Sequence, residues 1–534
     1  MIDHVYLVAN GDQRLSANRL CWPAQQRFEA LLVAALEARG VTVTRAHPAE
    51  TPEGHGFIAS QAQGLTVFAG IPADAPVVMA EGVWMFSQQV LGGLLRHRGP
   101  VLTVANWEGE WPGLVGLLNL NASLAKAGRA FETVWSRTFD DDWFSDRLGE
   151  WLRDGIIRHD VSHVKPFDGS SVGGRAREVA GEVVAGIRAR GVIMGVLDEG
   201  CMGMYNGIIP DELLFPLSVF KERLSQSALY AETLLVAEEE AARSLDWLTE
   251  RGMTFHFGTD AETELTREQV ILQLRMYAAI ARMADRFGVD VIGIQYQLGL
   301  ADVLPASDLA EGLLNNAERP PVTRADGSVI RDGEPITLFN EADEGSGLDA
   351  LLTTRISRAL GQPVETTLHD VRWGDADASG TVDDFVWVFE ISGAVPPSFN
   401  VGGYAGTDSR RQPPLYFKMG GGTVRGVSRP GELVWSRIWV EGGELHMDLG
   451  RATVVELPAA ETERRWAATT PEWPIMHAVL HGVSRDQFMA RHKSNHIQVS
   501  YALDAAAADE VLAAKALAAQ QLGLNVNLCG IQED

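Results

Sequence analysis

The residues best suited to chemistry follow short apolar runs. Ile336-Thr337-Leu338-Phe339 leads into Asn340-Glu341-Ala342-Asp343-Glu344-Gly345, three carboxylates in four residues ahead of a helical run at 348–360. Acidic side chains suit a helix N-terminus, where they meet free N–H groups and the positive end of the dipole. Three exceed what capping needs, and charge this dense favours a cation. A second run, 364–368, delivers His369 and Asp370, as a strand-end turn or as a further ligand set. His477 and His481 are four apart, as are His492 and His496, and on a helix each pair would share a face. The HExxH form of zinc hydrolases is absent. His496 differs because Asn495-His496-Ile497-Gln498-Val499-Ser500-Tyr501 reads as the start of a strand, which puts it at an edge where ligands are offered.

Other motifs read as structure. Asp375-Ala376-Asp377-Ala378-Ser379-Gly380 imitates an EF-hand start, but position twelve is Val386 where a bidentate Glu is required, so it is a turn. Met419-Gly420-Gly421-Gly422-Thr423 lacks the Walker Lys-Ser/Thr and opens no Rossmann helix, so it too is a turn. No G-x-S-x-G elbow and no cysteine with a catalytic signature occurs.

Alternating strands and helices must position these residues. Apolar runs at 5–9, 41–43, 76–80 and 101–105 alternate with helical patterns at 23–39 and 83–96, the signature of a doubly wound parallel sheet. Ligands in such sheets lie beyond the strand carboxyl ends, here Asn10-Gly11-Asp12-Gln13-Arg14, Glu81-Gly82 and Asn106-Trp107-Glu108-Gly109. The Gly/Ser-rich run 168–174 marks a boundary. Strands at 192–197, 254–257 and 289–294, with helices at 229–251 and 268–287, then repeat the pattern. Beyond about 365, short β-like runs at 385–389, 433–435 and 437–440 read as an antiparallel, barrel-like unit closed by an Ala-rich helix at 505–521. The expected fold is therefore α/β: two doubly wound parallel-sheet domains (1–168 and 169–348, the second carrying Glu341) followed by a β-rich, barrel-like C-terminal domain (349–534) with a terminal helix.

The 534 residues carry a net charge of −26, which argues against nucleic acid or an anionic membrane as the main partner. Three cysteines (Cys21, Cys201, Cys529) build no disulfide scaffold and fit a reducing compartment. No basic n-region and no stretch of 18 apolar residues is present, so a cytoplasmic enzyme is expected.

With these residues in view, the chain resembles the L-fucose/L-arabinose isomerase superfamily, most closely bacterial fucose-isomerase-like proteins. The likeness rests on Asn106-Trp107 with Trp111-Pro112-Gly113-Leu114-Val115-Gly116, on Ile292-Gly293-Ile294-Gln295, on Asn340-Glu341-Ala342-Asp343, on Leu368-His369-Asp370-Val371-Arg372 and on Ser494-Asn495-His496. The resemblance implies a divalent metal, usually Mn²⁺ (Mg²⁺ or Co²⁺ are alternatives), held by Glu341, Asp370 and His496. Asp343 and Glu344 compete with Glu341 for the first position. It further implies aldose–ketose isomerisation of a pentose or 6-deoxyhexose through a cis-enediol, with Glu341 and Asp370 also moving the proton. Gln295 and Asn495 are implied binders of sugar hydroxyls, with Arg14 and Trp107 as additions from the first domain, which in this family can serve a neighbouring subunit. A homo-oligomer, often a hexamer, is implied.

Two other readings stand beside it. A lyase or epimerase acting on a modified or acidic sugar is motivated by Arg485, Arg491 and Lys493 near His496. A non-catalytic sugar-binding protein is motivated by the two linked α/β units.

Overall fold

The structure is a computed structural model and describes residues 1–200 and 202–531, so Cys201 lies outside the described residues. The first sheet contains β1 (His4–Val8), β2 (Thr42–Arg45), β3 (Val77–Glu81), β4 (Val101–Asn106) and β5 (Glu132–Ser136), all parallel, in the order β2-β1-β3-β4-β5. Both faces are covered. Ala80, Leu102 and Val104 pack with Phe28, Leu32 and Trp151, while Val77, Met79 and Val101 pack with Val90, Leu94 and Leu124. That double burial accounts for the uninterrupted apolar strands.

Six more strands complete the first two thirds of the chain: β6 (Val164–Pro166), β7 (Val192–Leu197), β8 (Val219–Leu224), β9 (Thr254–Phe255), β10 (Val291–Ile294) and β11 (Leu338–Asn340). A second parallel sheet runs β11-β10-β7-β8. Gly293 of β10 is required here, because a Cβ would lie 2.0 Å from the Phe339 ring of β11. Two expectations are corrected. Residues 254–257 do not join this sheet; β9 pairs with β14 (Asp408–Ser409). The helical pattern at 229–251 is two helices, Gln226–Leu235 and Glu238–Glu250, because Val236 and Ala237 are extended.

The C-terminal region is a closed six-stranded antiparallel barrel. Its strands are β12 (Thr366–Ala376), β13 (Phe385–Glu390), β15 (Gly431–Glu441), β16 (Glu444–Val454), β17 (Ile475–Leu480) and β18 (His496–Ala502). The order is β15-β18-β12-β13-β17-β16, and the β15–β16 hairpin closes the ring. Runs read separately at 433–435 and 437–440 belong to the one strand β15. On the outside, β19 (Asn525–Cys529) pairs with β16, and β6 pairs with β19. The protein is thus mixed α/β, two parallel sheets with a C-terminal barrel. Among the described residues no helix is long and apolar enough to cross a membrane.

Neither histidine pair shares a helix. His477 lies on β17 and His481 just beyond it. His492 follows the helix Arg485–Arg491, and His496 opens β18. Asp377 and the 419–423 loop do form turns. Asp377 accepts from the N–H groups of Ser379, Thr381 and Val382, and Gln273 brackets Gly422.

Glu81 closes β3 with both carboxylate oxygens buried and unbonded, and burial holds its pKa well above the ordinary range. The folded chain therefore holds this proton more tightly than the unfolded chain. The stability that proton contributes is complete at low pH and is lost as pH rises above about 4, the ordinary glutamate value. Glu81→Gln keeps the shape without titrating. It is expected to melt higher than the parent at alkaline pH, with the gap closing as pH falls towards that value. Melting curves across pH check this, and a pH-independent gap would contradict it.

Candidate functional site

The turn after β11 distributes the three carboxylates in three directions. Glu341 (φ 58°) and Ala342 (φ 47°) are both left-handed, which lets the chain leave the strand and enter the helix Glu344–Leu360 within three residues. Asp343 caps that helix, accepting from Ser346 N at 3.1 Å. It also takes both terminal nitrogens of Arg437, Nη1 at 2.6 Å and Nη2 at 3.0 Å. Glu344 turns away to Lys221, 2.6 Å from its Nζ. The capping explanation therefore holds for Asp343, and Glu341 alone of the three lines a cavity.

The barrel supplies the other two groups. Antiparallel pairing of β12 with β18 places Asp370 directly opposite His496. His496 is fully buried; its Nδ1 bonds Asp343 Oδ2 at 2.7 Å. The Nε2 atom faces Glu341 Oε2 at 3.3 Å and Asp370 Oδ1 at 3.5 Å, without a hydrogen bond. Asp370 Oδ1 is likewise buried and unbonded. Burial opposes charge on the His496 ring, but the Asp343 and Glu341 carboxylates outweigh it and carry its pKa up to about 10. Burial pushes the Asp370 carboxyl up to about 7, with Glu341 adding to the shift against the His496 ring. Asp343 sits well below the usual carboxylate range: burial works against it, and Arg437 and His496 prevail.

Among the described residues no three His, Cys, Asp or Glu side chains already stand at metal-ligating spacing. Glu341, Asp370 and His496 nonetheless fit a divalent ion on two grounds. Neighbouring ligands of an octahedral ion at about 2.1 Å lie about 3 Å apart, close to the 3.3 and 3.5 Å separations at Nε2. Two buried, unpartnered polar atoms, His496 Nε2 and Asp370 Oδ1, face one another there, an arrangement that is costly unless something binds both. A carboxylate on the far ring nitrogen is the usual support for a ligating histidine.

Glu341 and Asp370 border a cavity of about 430 Å³, counting its open mouth. Arg14, Gln297, Arg372, Ser392 and Tyr416 line it with polar groups, and Trp84, Val115, Met202, Phe417 and Trp473 form apolar walls. That mix is usual for a small-molecule site. Arg14 comes from the loop after β1 of the same chain. It pairs with Asp12 (2.6 Å), donates to the Tyr416 carbonyl (3.2 Å) and lies over the Tyr416 ring. Gln297 Oε1 is buried without a partner. The Ser392 hydroxyl donates to Asp308 Oδ1 at 2.7 Å.

The remaining expected residues stand outside the lining. Gln295 is fully buried with both amide atoms unpartnered, and Gln297, two residues on, reaches the cavity instead. Asn495 is buried against Met204 and Asn206. Trp107 does not line the cavity. Its indole N–H bonds the Gly374 carbonyl, and its ring packs edge-on against Phe385 and Trp387. The basic residues near His496 are engaged elsewhere: Arg491 with Asp448, Arg485 with Asp486, and Lys493 over the Phe131 ring. His369 is buried and its pKa lowered to about 3, while His446 and His492 bond backbone carbonyls.

Sequence reasoning missed Gln297, Ser392, Tyr416, Phe417 and Trp473. They lie in loops without periodicity, and only the strand end before Gln297 signalled a ligand-facing position. No family model matches this chain, and no curated protein matches it.

Proposed function

We propose that this protein is a metal-dependent aldose–ketose isomerase of the L-fucose/L-arabinose isomerase type, acting on a pentose or 6-deoxyhexose through a cis-enediol. The observation that carries the reading is the meeting of Glu341, Asp370 and the unbonded His496 Nε2 at the wall of a polar cavity. Oxygen ligands with one imidazole suit Mn²⁺ or Mg²⁺ better than soft metals. Bound there, the ion would hold two substrate oxygens and stabilise the negative charge that develops on them. Glu341 and Asp370 both border the cavity, so a carboxylate is available to take a proton from one carbon and return it to its neighbour. Arg14, Gln297 and Ser392 offer polar groups for the substrate hydroxyls, and Trp84, Phe417 and Trp473 keep water from the reacting carbons. Two doubly wound domains before the barrel, a homo-oligomeric state and a cytoplasmic location belong to the same proposal.

One observation favours a second reading, a lyase or epimerase on an acidic sugar: Arg14 and Arg372 both line the cavity. Arg14 is already paired with Asp12, however, and Arg372 donates to the Gly109 and Glu110 carbonyls. A neutral sugar therefore fits better.

The test is metal content of the purified protein, then aldose–ketose conversion across pentoses and 6-deoxyhexoses after chelation and Mn²⁺ re-addition. Activity is expected to vanish and return. Metal binding without conversion of any neutral sugar would favour the second reading. No stoichiometric metal even after Mn²⁺ addition would overturn the assignment.

A further inference from the structure

Arg437 lies on β15, 1% exposed, and does not line the cavity. A buried guanidinium is costly to desolvate, and this one is aimed at a single carboxylate. Its Nη1 donates to Asp343 Oδ2 (2.6 Å) and Ser346 Oγ (2.8 Å), and its Nη2 donates to Asp343 Oδ1 (3.0 Å). With Ser346 N on Oδ1 and His496 Nδ1 on Oδ2, both oxygens of Asp343 are committed. Asp343 is thereby held in one rotamer, bonded to His496 Nδ1 so that Nε2 points towards Glu341 and Asp370.

Resting on the metal centre proposed above, we propose that Arg437 is a positioning residue that sets the metal affinity of Glu341, Asp370 and His496 by fixing Asp343 and, through it, the tautomer and orientation of the His496 ring. The planar fork matters, because two parallel bonds to one carboxylate fix its plane as the single ammonium of lysine cannot. Outer partners of ligating histidines typically change metal affinity by about 10–100-fold when removed.

The experiment is calorimetric titration of Mn²⁺ into chelator-stripped protein, with melting curves recorded on the same metal-free samples. Arg437→Met is expected to bind Mn²⁺ about 10–100-fold more weakly than the parent, and Arg437→Lys to fall between. Arg437→Met strands the Asp343 charge and can fail to fold, so the double variant Asp343→Asn/Arg437→Met, which removes both charges, is measured beside it. Weakened binding in a double variant that melts like the parent supports the positioning role. Parental affinity in the folded double variant overturns it and leaves the metal centre standing. No Mn²⁺ binding by the parent protein overturns both.

Discussion

Asp370→Asn is expected to lower kcat for aldose–ketose conversion by about 10²–10⁴-fold, the usual contribution of a positioned acid or base. Asparagine keeps the size and the cross-strand position opposite His496. It removes the carboxylate that could move a proton, together with a charged ligand. The fold should tolerate the change, because burial already pushes the Asp370 carboxyl up to about 7 and a neutral amide removes that conflict. Melting temperature should therefore stay level or rise while activity collapses. Rate measurements at saturating Mn²⁺ separate lost chemistry from lost metal. A folded variant that retains parental kcat would remove Asp370 from the reaction.

The sequence carried the element types further than it carried the site. Apolar runs at 5–9, 76–80 and 101–105 became parallel strands because both faces of their sheet are buried, which leaves no polar alternation to confuse the reading. The four-residue spacing of the histidine pairs carried no helix: His477 lies on a strand, and His496 opens the strand expected for it, so the barrel pairing decides their neighbours. Glu341, Asp370 and His496 were legible as residues with chemistry to do. Their convergence was implied only by the family resemblance; the residues alone could not show it, since it depends on a register between β12 and β18 that joins positions 126 residues apart. Capping by Asp343 was legible, but its hold on Arg437 and the turn of Glu344 to Lys221 were hidden for the same reason: both partners come from distant strands. Trp107 followed a strand end, where ligands gather, yet its indole closes on Gly374. A strand end fixes where a side chain begins, and only packing fixes where it points.

The backbone at Glu341 supports a second expectation, in which stability and activity move in opposite directions. Glu341 and Ala342 hold φ values of 58° and 47°, a region that costs a non-glycine residue roughly 1–2 kcal/mol. Such strain persists where the surroundings enforce it, and it gathers at functional sites. Here it turns the chain so that Glu341 faces the cavity while Asp343 caps the next helix and holds His496. Glu341→Gln keeps the strained backbone and removes the charge. Glu341→Gly removes the charge and suits the conformation. Both variants should lose Mn²⁺ affinity and turnover. The glycine variant should nevertheless be more stable than the glutamine variant by about 1 kcal/mol, since the left-handed conformation no longer carries its penalty. Denaturant unfolding of the metal-free proteins measures that difference, and calorimetry measures the lost affinity. Equal or reversed stabilities would mean that this backbone is not strained, and parental Mn²⁺ binding in either variant would take Glu341 out of the metal centre. If both expectations hold, the left-handed turn costs the fold stability and is kept because it brings Glu341 to the two groups that the barrel supplies.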